Sequence, residues 1–572
     1  MSDAPESAAA LDFVPQLGVT PSPADWRDVF IYFLLVDRFD DAAPATPPWV
    51  PGQTPRGRDP EQGRRFQGGN LRGVARRLDY IRGLGANAVW LSPILKNRQD
   101  LDDTYHGYGI QDFLQVDPRF GTLGDLQALS REVHARGMYL ILDVVINHTG
   151  DVWSYPGGVP YYYDHGRRFP FGAWRELDAA RGLQRDDAVW PRELQDPELF
   201  KRKGEIRNWW DPVEARDGDF LSLKELDLEN PRTLDTLIRV WKYWIAAADI
   251  DGFRIDTVKH MESSATAIFC NAIREYAERI GKQNFFIFGE IVADDATIQQ
   301  YIGRNSRIPG TRERFPSLDA ALDFPLYFSL EEVIKGFADA AVLRERYDAF
   351  RDRYADHGEA GRYFVTFVDN HDQMARPYRR FMHANPFPAQ AVQAMTFLLT
   401  GQGVPCIYYG TEQGFDGGGP TDAWVRECMF GGRWGAFEST GHHFFDPGHE
   451  IYQGIARIAE IRAREPALRY GRQYFREISA DGVDFACPGA GGTLAWSRIL
   501  DTQELLIALN RDAGQRGDFI TVDSRLSAPG TRMQDLLSGT VHTVQEHQGR
   551  AFVRPRLGPH GVAILKGPGT GA

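Results

Sequence analysis

In "IDGFRIDTVKH", residues 250–260, a short apolar run from Gly252 is interrupted by Arg254 and Asp256. In a strand, side chains alternate between faces, so Arg254 and Asp256 share one face while Phe253 and Ile255 share the other. The run is preceded by "RTLDTLIRVWKYWIAAA" (232–248) and followed by "ATAIFCNAIREYAERIG" (265–281), both amphipathic at helical spacing. A strand between helices, apolar on both faces, is the unit of a parallel sheet. The same alternation recurs with "VFIYFLLVDRF", "ANAVWLSPIL" and "MYLILDVVINH" upstream, and with "NFFIFGEIV", "LDFPLYF", "RYFVTFVDNHD" and "VPCIYYGTEQG" downstream. Eight runs predict a closed (β/α)8 TIM barrel, with an open doubly wound sheet as the alternative.

One interval breaks the rhythm. About 80 residues separate the third run from the helix that opens near Arg232, and a stretch this long is usually functional or a small domain. It contains "YPGGVPYYYDHG" and "RNWWDPVEARDGD" and reads as a domain inserted after strand 3, residues 149–225. The barrel then occupies 26–148 and 226–468. From 469 to 572, short strands separated by Gly, Pro and Asp turns predict a C-terminal antiparallel β-sandwich. Residues 1–25, rich in Ala, Pro and Ser, read as a loosely ordered arm.

Bulk composition sets bounds. The chain carries a net charge of −13, and no basic cluster suggests a nucleic-acid partner. The four cysteines are too scattered for a disulfide scaffold or a zinc ribbon, and Cys270 and Cys406 sit in apolar runs as buried thiols. No run of about 18 apolar residues implies a membrane helix. The N-terminal stretch lacks a basic segment before an apolar one, so the expected location is cytoplasmic. "GLGANA" (83–88) lies between a helix and a strand, the reverse of a dinucleotide-binding turn. No motif implies an organic cofactor. Oligomeric state is not legible.

The chemistry is sought where the apolar runs stop, because barrel enzymes carry their sites at the C-terminal ends of strands. The third run ends with Asp143, Asn147 and His148, the fourth with Arg254 and Asp256, the fifth with Glu290, the seventh with His371 and Asp372. Four carboxylates from four strands thus converge on one mouth. The arginine beside Asp256 is expected to hold it ionised by lowering its pKa, and an ionised carboxylate there can act as a nucleophile. Glu290, ending an apolar run near negative charge, is expected to stay protonated. One ionised and one protonated carboxyl is the apparatus of glycoside hydrolysis.

These same blocks carry a family resemblance. "DVVINH" (143–148), "GFRIDTVKH" (252–260), "GE" (289–290) and "FVDNHD" (367–372) resemble the four conserved blocks of the α-amylase family of retaining glycoside hydrolases. "DTYHGYG" (103–109), "LDLEN" (226–230) and "GVPCIYYGTEQG" (403–414) resemble its supplementary blocks, in the same order. The resemblance implies Asp256 as nucleophile, Glu290 as general acid/base and Asp372 as a third acid that binds sugar hydroxyls. It implies that Arg254 orients Asp256, that His148 and His371 hydrogen-bond the sugar, and that Tyr108 stacks on it beside His106. Asp143 would be a supporting acid of the substrate site. Lys259 and His260 would build the leaving-group side, as in α-1,4-glucan enzymes. Asn147 is similar to the family's calcium ligand, with Asp227 and the His260 carbonyl completing an oxygen set suited to Ca²⁺. The acids of "DRFDD" (37–41) read as a solvated loop. Trp209 and Trp210 stay open between sugar platforms and core.

The expected activity is cleavage of α-1,4-glucosidic bonds in malto-oligosaccharides or starch, through a covalent glycosyl-enzyme. A transglycosylase with the same residues is the alternative. A non-catalytic barrel of the kind found in amylase-like transporter subunits is the remote one, since those typically lack the three acids and carry a membrane helix.

Overall fold

The computed structural model of the protein describes all residues except 1–4, 45, 51–58, 164–165, 304–305, 308–313, 354–359, 374–377 and 569–572. Eight parallel strands close into a barrel: β1 (Ile31–Leu34), β2 (Ala88–Leu91), β3 (Tyr139–Val144), β4 (Gly252–Ile255), β5 (Phe286–Gly289), β6 (Ala320–Leu322), β7 (Phe364–Thr366) and β8 (Val404–Tyr408). Helices such as Leu123–Ala135, Pro231–Ala248, Ser263–Arg279 and Glu450–Arg464 cover the outside. Pro231–Ala248 is the most thoroughly packed, with Leu237, Val240, Trp241 and Trp244 buried. Asn230 caps its first turn and Pro231 opens it, which is why the helix starts there.

The sixth strand departs from its sequence reading. Only the first residue of "LDFPLYF" lies in β6, and the rest opens a helix, Phe324–Ile334. Asp323 accepts the Leu326 amide as an N-cap, and Pro325 occupies the first turn, so capping overrides an apolar run that looks like a strand.

The inserted segment joins the barrel through a short neck, where His148–Thr149 pairs antiparallel with Lys224–Glu225. The C-terminal region folds into a six-stranded and a four-stranded antiparallel sheet, a β-sandwich whose buried layer includes Leu506, Ile520, Val553 and Leu565. The N-terminal arm is not loose. Ala8 and Leu11 are buried, the Gln16 amide donates to Ala246, and Tyr276 donates its hydroxyl to the Phe13 carbonyl. Small apolar residues suffice to dock an extended segment along the barrel floor. No helix among the described residues is long and apolar enough to cross a membrane.

Candidate active site

Strand register builds the site. Arg254 on β4 lies level with Asp143 on β3 and with Phe288 on β5, so two ionisable side chains become lateral neighbours inside the barrel. The ladder continues past the strand ends: the Asp256 amide donates to Val144 and the Glu290 amide to Ile255. Just before Glu290, a Cβ on Gly289 would come within 2.6 Å of Leu318 and 2.7 Å of Val258, so only glycine lets these layers meet. Thr257, following Asp256, takes φ +48°, a left-handed conformation that strains a β-branched residue and turns the chain sharply at the site.

One guanidinium faces three carboxyl groups. Arg254 Nη1 donates to Asp143 Oδ1 at 2.8 Å and to Asp256 Oδ1 at 2.7 Å, and its Nη2 donates to Glu290 Oε2 at 2.5 Å. The remaining Asp143 oxygen accepts from Trp90 Nε1 at 3.1 Å and the Tyr108 hydroxyl at 3.0 Å. Asp143 is therefore buried, with both of its oxygens bonded to Arg254, Trp90 and Tyr108.

The pKa order separates the two working carboxyls. Burial pushes Asp256 up to about 6, with Arg254 opposing the rise. Burial pushes Glu290 further, to about 8, because the charges of Asp256 and Asp372 add to it while Arg254 only partly offsets them. The expectation that Arg254 holds Asp256 below its ordinary value is thus corrected: desolvation outweighs the arginine, and the arginine sets the order. Asp256 and Glu290 are brought to the same guanidinium, one on Nη1 and the other on Nη2 of Arg254.

The opposite wall comes from β7 and the loop after β8. His371 Nε2 lies 3.1 Å from Asp372 and 2.9 Å from the Tyr108 hydroxyl, and its ring stacks on Tyr108. Burial keeps His371 far below its usual pKa, His148 at about 3 and His106 at about 4, so all three are neutral near pH 7. His148 Nε2 and His371 Nδ1 are buried without a hydrogen-bond partner among the described residues, which suits them to a hydroxyl ligand. His106 Nδ1 accepts the Tyr108 amide at 3.0 Å and positions that ring. Trp90, Arg254, Glu290, His371 and Asp372 line one cleft.

Sequence reasoning missed Arg426. Its Nη2 donates to Asp372 at 2.9 Å, its Nε to the His371 carbonyl at 3.0 Å, and its Nη1 to the Tyr105 hydroxyl at 3.1 Å. It sits in an irregular loop with no periodicity or strand end to flag it. The "DRFDD" acids were misread as solvated. Asp37 and Asp40 are buried, Asp37 accepting the Gln67 and Gly68 amides and Asp40 pairing with Arg76 and Arg77.

The donors assigned to calcium divide. Asn147 donates to Glu225 Oε2 at 2.7 Å, and Asn147 Oδ1 and Glu225 Oε1 are buried without a hydrogen-bond partner among the described residues. Asp227 instead accepts the Glu229 amide within its own turn. His260 turns its Nδ1 to the Ala215 carbonyl at 2.5 Å, and burial lowers its pKa to about 4. The cation facing Glu225 is Lys201, whose Nζ lies 3.1 Å from Glu262, 3.7 Å from Asp217 and 3.9 Å from Glu225, and donates to the Arg216 carbonyl. Burial alone would lower the Lys201 pKa, but these carboxylates outweigh it and raise it. A fixed ammonium beside one donor, with Asp227 directed elsewhere, does not fit a divalent ion that needs six to eight oxygens. No cluster of three or more metal-ligating acids, histidines or cysteines occurs among the described residues.

On the far side of the cleft, Lys259 is half-buried with its Nζ 5.4 Å from the centre of the Trp210 ring. Trp209 packs on Phe220 and His260, whereas Trp210 is 88% exposed. Phe220 in turn faces His148.

The barrel mouth thus gathers Asp143, Asp256, Glu290 and Asp372 around Arg254 and Arg426. The family model for the alpha-amylase catalytic domain matches residues 33–429, and the chain belongs to the alpha-amylase family. It is 33% identical over 481 residues to an alpha-amylase of Streptomyces lividans, covering 75% of this chain and 50% of that protein. The chain thus spans about half the length of that relative. It is 26% identical over 521 residues to a cyclomaltodextrin glucanotransferase of Klebsiella oxytoca, covering 85% of this chain and 71% of that one. Among solved structures it resembles the alpha-amylase of Geobacillus thermoleovorans complexed with acarbose, with a TM-score of 0.69 and 27% identity over 96% of this chain and 100% of that one.

Proposed function

We propose that this protein cleaves α-1,4-glucosidic bonds of malto-oligosaccharides or starch with retention of anomeric configuration. The observation that carries the reading is the Arg254-centred cluster, in which Asp256 and Glu290 share one guanidinium but differ in pKa. Near pH 7 the lower-pKa Asp256 is the ionised partner and attacks the anomeric carbon. Glu290, still protonated, gives its proton to the departing glycosidic oxygen. A glycosyl ester on Asp256 results, and Glu290, now a carboxylate, takes a proton from the incoming water as that water displaces Asp256. Asp372, held by Arg426 and His371, accepts hydrogen bonds from sugar hydroxyls. His148 and His371, being neutral, donate and accept without adding charge. Tyr108 and His106 form the wall on which the sugar ring rests.

A second reading keeps the same residues and replaces water by a sugar hydroxyl. The exposed Trp210 above Lys259 favours it, since an aromatic face on the acceptor side retains a sugar long enough to compete with water. Incubation with maltoheptaose, followed by chromatography, separates the two. Shorter maltodextrins alone mean hydrolysis, and longer or cyclic products mean transfer. No turnover beyond an Asp256→Asn control removes the α-1,4-glucan assignment.

A further inference from the structure

The inserted segment carries a second aromatic surface outside the cleft. "YYY" at 161–163 alternates as an extended chain does: Tyr162 is partly buried, with its hydroxyl enclosed, whereas Tyr161 and Tyr163 are 48% and 45% exposed on the other side. Arg207 spans both outer rings, its guanidinium carbon 5.5 Å from the centre of Tyr161 and 5.9 Å from that of Tyr163. Arg207 is itself exposed, its backbone amide donates to Glu214 Oε1 at 2.6 Å, and among the described residues no carboxylate pairs with its guanidinium. Exposed rings in line, with an unpaired guanidinium between them, have no evident use in folding. A core role would bury the rings, and a structural arginine would hold an acid.

The patch is continuous with the cleft. Tyr161 bridges to Glu205, and Glu205 bridges to Asp219, whose neighbour Phe220 faces His148. Two strand spacings, about 10 Å, separate the patch from that layer. Arg207 and Trp210 share one loop, and Trp210 stands over Lys259 at the cleft edge.

We propose that Tyr161, Tyr163 and Arg207 form a binding platform for an α-glucan chain that extends beyond the cleft. The C–H faces of successive glucose units stack on the two tyrosines, and Arg207 donates hydrogen bonds to their hydroxyls. Flat apolar ring faces beside hydrogen-bond donors suit the C–H faces and hydroxyls of a glucan chain. The inference rests on the α-glucan reading above and deepens it, because it makes long chains the preferred substrate.

The test compares wild type with a Tyr161→Ala/Tyr163→Ala double variant, using glycogen in native gels for binding, and amylose and maltotetraose for turnover. The platform predicts about a tenfold loss of glycogen retardation and a severalfold rise in KM for amylose. Kinetics on maltotetraose stay within twofold, which also shows that the variant is folded. Unchanged retardation, or an equal loss on maltotetraose, overturns the platform. So does wild type that glycogen does not retard. Unchanged retardation with loss of self-association in sedimentation would assign the patch to a second copy and also overturn it. If wild type turns over neither substrate but shows tyrosine-dependent retardation, the platform stands and the reaction assignment falls.

Discussion

The two ends of β4 carry opposite kinds of buried charge. Asp251 precedes the strand and Asp256 follows it. At the first end, Asp249 and Asp251 meet Lys282 at 2.8 and 2.6 Å and His134 at 3.2 and 2.7 Å, two acids against two bases. At the other end, three carboxyl groups share the single cation of Arg254, with Asp372 nearby. A balanced cluster settles into ion pairs and ties together the helix ends and, through the Thr20 amide on Asp249, the N-terminal arm. A cluster short of positive charge cannot ionise fully, and that shortage makes carboxyls of unequal pKa available for chemistry. One barrel thus separates stability and reactivity along a strand four residues long.

The contrast breaks most visibly through activity. Glu290→Gln is expected to lower kcat by roughly 10²–10⁴-fold, and Asp256→Asn by at least as much, with circular dichroism unchanged. Asp251→Ala at the opposite end is expected to lower the urea-unfolding free energy by about 3 kcal/mol, because Lys282 and His134 lose one of their two shared acids and keep only Asp249, while kcat of the folded protein stays within twofold. If Asp251→Ala abolishes turnover in folded protein, the division of labour is wrong.

Titration sharpens the same comparison. Activity should fall below about pH 6 as Asp256 protonates and above about pH 8 as Glu290 ionises, giving a bell in kcat/KM. A carboxyl held protonated in the folded chain, but ionised in the unfolded one, costs stability once pH exceeds its ordinary value. Glu290→Gln should therefore gain stability over wild type as pH rises from 5 to 8, read as a growing difference in urea midpoint. His134 runs the other way. Burial opposes its charge, but Asp249 and Asp251 raise it to about 9. Its contribution is full below its unfolded value near 6.5 and is lost as pH rises through about 9, so His134→Gln should cost more stability at pH 6 than at pH 10.

The smallest expected effect is a null one. With Lys201 supplying the cation beside Glu225, a chelator such as EDTA should leave the melting temperature and kcat unchanged. Lys201→Met should lower the melting temperature, since it leaves buried acids unpaired. A chelator-dependent loss in wild type would restore a metal to the neck.

Much of this was legible because strand ends are positional. Asp143, Arg254, Asp256, Glu290 and His371 each stop or interrupt an apolar run, and period-two alternation fixes which of them face inward. What the sequence hid depends on side chains meeting across loops. Arg426 lies more than 50 residues from the Asp372 it holds, in a segment without regular structure. Glu225, which bonds Asn147, was not singled out in the sequence, because only the pairing of His148–Thr149 with Lys224–Glu225 brings the two together. The lowering effect of Arg254 on Asp256 was legible, but the net shift is upward because burial outweighs it, and the depth of burial is not written in spacing.

The most direct test uses α-maltosyl fluoride with the Glu290→Gln variant. Fluoride leaves without a proton from residue 290, so attack by Asp256 can proceed, while the variant cannot activate water to release the ester. The account predicts that mass spectrometry finds one added maltosyl unit on the peptide containing Asp256. A maltosyl adduct on another residue, or release of product with inverted configuration and no adduct, would contradict it.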